Sequence, residues 1–317
     1  NHNTISGYKA LLVKNNTIET KKMIITVASG KGGTGKTLVA SNLFRILSKK
    51  NESVALIDCD VEEPNVMNFI SHRLHKEIEV KEYRPAINTD QCVFCGECAE
   101  YCSYNAIFCE PGAHYIKVIE DLCHGCTAWS WAFKFGAIYP LSKKGVMVSL
   151  YSHHDKVCLA EGRMEIGNHS AISTIKAAKE TFDISKYQYI IYDSPPGTSC
   201  PFMQTVLNSD YVILVTEPTP FGLSDLKQTV ETLHIMKKPF GIIVNRSGLG
   251  DNGVYDYISN NKYCLLAELP YDQKIAELYS NGKLVVDHLP GVNSLFEKLV
   301  NEMSNLNFSH FDGNSCN

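Results

Sequence analysis

Met23-Ile24-Ile25-Thr26-Val27-Ala28-Ser29-Gly30-Lys31-Gly32-Gly33-Thr34-Gly35-Lys36-Thr37 decides the fold. A buried-strand pattern, Met23–Ala28, runs into a glycine-rich loop. The loop opens a helical segment, Thr37–Lys50, with Leu38, Leu43, Ile46 and Leu47 on its apolar side. Gly30 to Thr37 match G-x-x-x-x-G-K-[ST], and strand before with helix after is the setting in which that pattern cradles phosphate. Glycines let backbone N–H groups close around phosphate oxygens, and the helix N-terminus adds a favourable dipole. Lys36 is expected to reach the β- and γ-phosphates, and Thr37 to offer its hydroxyl to Mg²⁺. Gly30, Lys31, Gly32, Gly33, Thr34, Gly35, Lys36 and Thr37 are thus the candidate nucleotide-binding residues.

Outward from this loop, apolar runs alternate with helical patterns. Val54–Asp58, Val146–Leu150, Tyr189–Tyr192, Tyr211–Val215 and Gly241–Val244 read as strands, and Leu223–Met236 and Val292–Met303 as helices. The alternation predicts an α/β fold with a doubly wound, mainly parallel sheet. Asp58 and Asp60 close one strand and Asp193 another, and carboxylates at the C-terminal ends of parallel strands face the ligand crevice and suit Mg²⁺. From about Val80 to Leu141 the pattern changes to cysteines, short strands and turns. The expected organisation is a discontinuous nucleotide-binding domain, residues 23–79 and 143–317, interrupted by a small α+β domain at 80–142. Residues 1–22 lack the layout of a signal peptide and read as an extension outside the fold.

The chain has 12 cysteines, six of them in two short clusters. Cys92-x₂-Cys95-x₂-Cys98-x₃-Cys102 has the spacing of a bacterial ferredoxin motif, in which thiolates converge on one cluster within a tight loop. Zinc is the competing reading, although zinc motifs pair C-x-x-C units at longer separation. Cys123-x₂-Cys126 begins a second motif, but Trp129 and Phe133 stand at its third and fourth ligand positions. In two-cluster ferredoxins the fourth cysteine of each motif serves the other cluster, so each site retains three thiolates: Cys92, Cys95 and Cys98 in one, Cys123, Cys126 and Cys102 in the other. Three thiolates suit a [3Fe–4S] cluster, or a [4Fe–4S] cluster with one open iron. Cys109 is a conceivable substitute, but its strand-like surroundings, Ala106–Cys109, favour a buried thiol. Cys59, Cys158, Cys264 and Cys316 carry no motif.

These marks resemble the deviant-Walker ATPases, the MinD, ParA and Mrp group with the nitrogenase iron protein, and in particular MinD-superfamily members with an inserted ferredoxin domain. The resemblance covers nearly all of residues 23–305. It implies an ATP-dependent homodimer in which Lys31 reaches the partner's phosphates. Asp58 and Asp193 would support Mg²⁺ and its water shell, Asp60 would position the attacking water, and Asn245 would contact adenine. Catalysis would then fall to Lys31, Lys36 and Asp60. Cys200, seven positions after Asp193, is similar in offset to a cluster-ligating cysteine at the dimer axis of the nitrogenase iron protein, which makes it a candidate dimer-interface thiol beside the reading of a packed small residue.

Hydrophobic residues are 44% of the chain, charged residues 20%, and the net charge is −4, which advertises neither nucleic-acid binding nor an unfolded chain. No apolar run reaches the roughly 18 residues of a membrane span, so no membrane anchor is expected and a cytoplasmic protein is. The leading expectation is an ATPase coupled to an iron–sulfur module, with a redox or metallocluster-assembly protein as partner. The alternatives are a positioning ATPase of the MinD/ParA type, disfavoured because Leu295–Met303 is amphipathic but not basic, and a passive iron–sulfur carrier.

Overall fold

The computed structural model describes residues 22–50, 52–154, 156–163 and 171–305. Residues 1–21 of the expected extension, and Cys316, lie outside them. Along the chain run β1 (Met23–Ala28), α1 (Lys36–Lys49), β2 (Val54–Asp58), β3 (Arg73–Ile87), α2 (Glu97–Glu100), β4 (Ile107–Glu110), β5 (Tyr115–Val118), β6 (Ile138–His153) and β7 (Lys156–Arg163). There follow α3 (Ala171–Thr181), β8 (Tyr189–Asp193), α4 (Cys200–Val206), β9 (Tyr211–Thr216), α5 (Pro220–Ile235), β10 (Phe240–Ser247), α6 (Gly253–Asn260), β11 (Leu265–Pro270), α7 (Gln273–Ser280) and α8 (Pro290–Asn305).

One nine-stranded sheet, in the order β11-β10-β9-β1-β8-β2-β7-β6-β3, organises the molecule. Strands β11 through β7 are parallel, and β6 and β3 add antiparallel at one edge. Both faces are covered, which is why the central strands read as continuous apolar runs. Ile25, Ile191 and Ile213 face α1 and α8, which contribute Leu43, Leu47, Phe296 and Leu299. Val212, Leu214 and Ile242 face α5 and α6 through Leu226, Val230 and Ile258. Burying each such side chain contributes about 1.5–3 kcal/mol before chain entropy is counted.

The edge departs from expectation. β3 is a fifteen-residue strand and β6 a sixteen-residue one, and their ladder runs from Arg73↔Ser152 to Ile87↔Ile138. The expected boundaries at 80 and 142 therefore fall inside these strands. β3 is paired on one side only, and its Arg73, Lys76, Glu77, Glu79 and Lys81 blunt an exposed edge against further pairing. The excursion between β3 and β6 carries the hairpin β4–β5, which forms its own two-stranded sheet. A small apolar cluster of Cys98, Ile107, Trp129, Ala132 and Ile138 holds it together. α5 starts at Pro220, three residues before the expected Leu223, because Thr219 Oγ1 accepts from Gly222 N at 3.0 Å and proline is tolerated in the first turn. Among the described residues no helix is long and apolar enough to cross a membrane.

Candidate functional site

The parallel strands end together, and the loop from Gly30 to Thr37 closes over their C-terminal edge. Gly35 sits at φ 99°, and a Cβ there would meet Asn245 Nδ2 at 2.5 Å, so both conformation and space require glycine. Gly32, Gly33, Gly35, Lys36, Thr37 and Asp60 are among the walls of a cavity of about 350 Å³. Its other walls include Tyr271, Ile275 and Tyr279, which sequence reasoning did not single out. Tyr279 stacks on Phe69 with centroids 4.6 Å apart.

Asp58 and Asp193 are neighbours in register on β2 and β8, and both are buried. Asp58 is used locally: Oδ1 accepts from Asp60 N at 3.0 Å, and Oδ2 accepts from Asn65 N at 2.8 Å and Val66 N at 3.0 Å. It folds the loop that presents Asp60. Asp193 Oδ2 accepts from Thr37 Oγ1 at 2.5 Å, while Oδ1 is buried without a partner among the described residues. Burial pushes the Asp193 carboxyl up to about 7, against the opposing effects of Thr37 and Lys36. Burial, and then the Asp193 charge, raise Asp58 well above the usual carboxylate range. Burial lowers Lys36, while Asp193, Asp60 and Asp58 act the other way. Crowded carboxylates with an orphan oxygen beside a free-lone-pair hydroxyl fit a hydrated Mg²⁺, which takes oxygen ligands and keeps waters.

Lys31 points to its own chain: Nζ lies 3.4 Å from Glu217 Oε2. Glu217 also receives Arg246 Nη1, and Arg246 Nη2 donates to the Gly33 carbonyl at 3.3 Å. Neither Glu217 nor Arg246 was anticipated as a site residue. Arg246 sits at φ 56°, a left-handed conformation uncommon for a side-chain-bearing residue. Asn245 is occupied by the loop: Nδ2 donates to Thr34 O at 2.7 Å, and Oδ1 accepts from Arg246 N at 2.9 Å.

The cysteines of the excursion fall into two groups. Cys92, Cys95 and Cys98 line one small cavity, together with Ile116 and Ala132. Cys102, Cys123 and Cys126 line another, together with Tyr104 and Trp129. Cys102 thus shares a cavity with Cys123 and Cys126. Phe94 at φ 52° and Gly96 at φ 80° bend the first loop, in which Cys98 is buried and Cys95 exposed, and Phe94 N donates to Cys92 Sγ at 3.4 Å. Trp129 is buried, its indole N–H without a partner among the described residues. The Phe133 side chain lies outside what the structure describes. Among the described residues no three His, Cys, Asp or Glu converge on a single-ion position. A cluster poses a different requirement, since its thiolates bind separate irons, and two sets of three thiols that each line one small cavity suit it.

Two contacts join the excursion to the nucleotide side. Ser173 of α3 bonds the buried Glu82 carboxylate, and its Oγ lies 3.1 Å from the His124 carbonyl between Cys123 and Cys126. Cys200, the first residue of α4, lies beside Tyr104, whose ring lies 4.0 Å from that of His124. The candidate dimer-interface thiol thus stands next to the excursion of its own chain. The loop leading to it is pinned at Ser194 N to Val27 O and Gly197 N to Ser29 O, both 3.0 Å.

The pattern of the CobQ/CobB/MinD/ParA nucleotide-binding domain matches residues 25–285. An uncharacterized protein of Methanocaldococcus jannaschii is 31% identical over 276 residues, 82% of this chain and 90% of that one. The cytosolic Fe–S cluster assembly factor Nubp2 homolog of Anopheles gambiae is 23% identical over 85% of this chain and 90% of its own. Among solved structures, the septum site-determining protein MinD complexed with Mg-ADP from Pyrococcus horikoshii shares the fold, with TM-score 0.54 and 20% identity over 90% of this chain and 96% of that one.

Proposed function

The chain belongs to the CobQ/CobB/MinD/ParA nucleotide-binding family, and we propose that it is a Mg²⁺-dependent ATPase whose nucleotide state is coupled to an iron–sulfur module inserted within residues 80–142. The observation that carries this reading is the position of Tyr104, a wall of the cavity lined by Cys102, Cys123 and Cys126, beside Cys200. It joins the cysteine-lined excursion to the loop that starts at Asp193, the carboxylate hydrogen-bonded to Thr37. A nucleotide that re-partners Thr37 or Asp193 acts on the segment that ends at Cys200. The name of the Anopheles relative, an Fe–S cluster assembly factor, supports a task in cluster assembly; one-electron transfer is the other use of such a module.

Lys36 and the loop N–H groups hold the phosphates. Asp60, raised by burial and restrained by Lys36, orients the attacking water. Thr37 and Asp193 would hold Mg²⁺ or its waters, which would supply neutralisation of the charge that develops on the phosphates. Lys31 leaves Glu217 and reaches the phosphates of a second copy, giving an ATP-dependent homodimer. Asn245 shapes the loop and the adenine side of the cavity together. The first site is held by Cys92, Cys95 and Cys98, the second by Cys102, Cys123 and Cys126, and a bound cluster would supply one-electron chemistry or be the transferred cargo.

Anaerobically reconstituted protein is expected to contain iron and acid-labile sulfide in similar amounts and to hydrolyse ATP slowly with Mg²⁺, activity that Lys36→Ala removes. Stoichiometric zinc without sulfide, or undiminished hydrolysis by Lys36→Ala, refutes the proposal.

A further inference from the structure

We propose that Cys109 is the fourth thiolate of the Cys92/Cys95/Cys98 site, taking the place of the ligand lost at Phe133. This rests on the iron–sulfur reading above and goes beyond it by closing the open coordination position. Cys109 lies on β4, outside the ferredoxin-like spacing, so sequence reasoning leaves it as a buried thiol.

The hairpin aims it at the loop. Cys109 pairs with Ile116 across β4–β5. Residues directly opposite in an antiparallel pair share a face, and Ile116 is a wall of the cavity that Cys92, Cys95 and Cys98 line. Ile107, two residues earlier and so also on that face, packs with Cys98 in the small apolar cluster. Cys109 Sγ lies 3.9 Å from the carbonyl of Phe94, the residue between Cys92 and Cys95 in the loop whose N–H donates to Cys92 Sγ. His114, in the hairpin turn, stacks on Phe94 with centroids 5.2 Å apart, so the hairpin and the loop are clamped together.

The competing thiol is turned elsewhere. Cys102 Sγ accepts from Ala106 N at 3.2 Å and lines the second cavity with Cys123 and Cys126. Cys109 is half-exposed, so it is reachable by reagent when no cluster is bound. On ligation each thiol gives up its proton and donates as thiolate.

The test is residue-resolved alkylation of the full chain. Protein with and without anaerobic reconstitution by ferrous iron and sulfide is treated with iodoacetamide, and each cysteine is read by peptide mass spectrometry. Cys109 should become protected in parallel with Cys92, Cys95 and Cys98, by about tenfold or more in labelling rate. Cys92→Ala should lower protection of Cys109 while sparing Cys102, Cys123 and Cys126. Cys109→Ala should convert the reduced four-iron EPR signal of this site to an oxidised three-iron signal, with loss of about one iron in four. Cys109 labelled equally in both forms while Cys92, Cys95 and Cys98 are protected overturns this assignment alone. Protection of no cysteine, with no bound iron or sulfide, overturns it together with the iron–sulfur reading.

Discussion

Asp58 and Asp193 stand side by side in the parallel ladder of β2 and β8, two buried carboxylates in register, with one oxygen of Asp193 left without a partner among the described residues. Without a cation the pair opposes its own ionisation and titrates as a unit. Asp193 is raised from 3.8 to about 7, so between those values the folded chain binds more protons than the unfolded one. Stability of the protein in EDTA should therefore be highest below about pH 4 in this contribution and fall as pH rises to about 7. The loss should be on the order of 2–4 kcal/mol. Asp193→Asn should flatten that slope and raise the melting temperature at pH 8. A slope unchanged by Asp193→Asn would show that the pair is not its source.

Lys31 and Glu217 form a pair that a dimer would have to break. Partly exposed ion pairs contribute about 0.2–1 kcal/mol, so the restraint is small and adjustable. Glu217→Gln, which keeps a hydrogen-bond acceptor for Arg246, should lower the ATP concentration for half-dimerisation by up to about fivefold. Lys31→Ala should bind ATP yet remain monomeric on size exclusion. Asp60→Ala should accumulate as an ATP-bound dimer, and its remaining monomeric would count against the sandwich arrangement.

Trp129 is core, packed with Cys98, Ile107, Ala132 and Ile138. Restoring cysteine there should leave a cavity and cost about 2–4 kcal/mol of local stability. Hydrogen exchange across 98–138 should accelerate in Trp129→Cys without any gain in iron. A gain in iron with unchanged exchange would show that the position still serves as a ligand site.

Much of the nucleotide site was legible because it lies in contiguous signals. The loop Gly30–Thr37 follows a buried strand, and Asp58 and Asp193 close two others. What stayed hidden depends on partners distant in sequence. Glu217 follows β9 with nothing to mark that Lys31 and Arg246 would find it. Asn245 was visible as a residue type, but not its bond to Thr34 O. β3 escaped because a charged edge strand paired on one side lacks the apolar run that marks a central strand. β7 escaped because its buried core, Cys158–Ala160, is only three apolar residues long. Cys109 was visible as a conceivable substitute ligand, but not its approach to the Cys92 loop, which depends on the pairing of Ile107–Glu110 with Tyr115–Val118.

Coupling between the nucleotide and the cysteine-lined excursion is tested most directly by an EPR-monitored redox titration of reconstituted protein with and without Mg²⁺ and a non-hydrolysable ATP analogue. A coupling free energy must appear at both ends, so nucleotide binding should move the midpoint potential by on the order of 60 mV, a tenfold bias. Tyr104→Ala, which removes the side chain beside Cys200, should shrink that shift while leaving nucleotide affinity in the oxidised state unchanged. Identical potentials with and without bound nucleotide would contradict the coupling, leaving an ATPase and a metal module that share a chain but not a function.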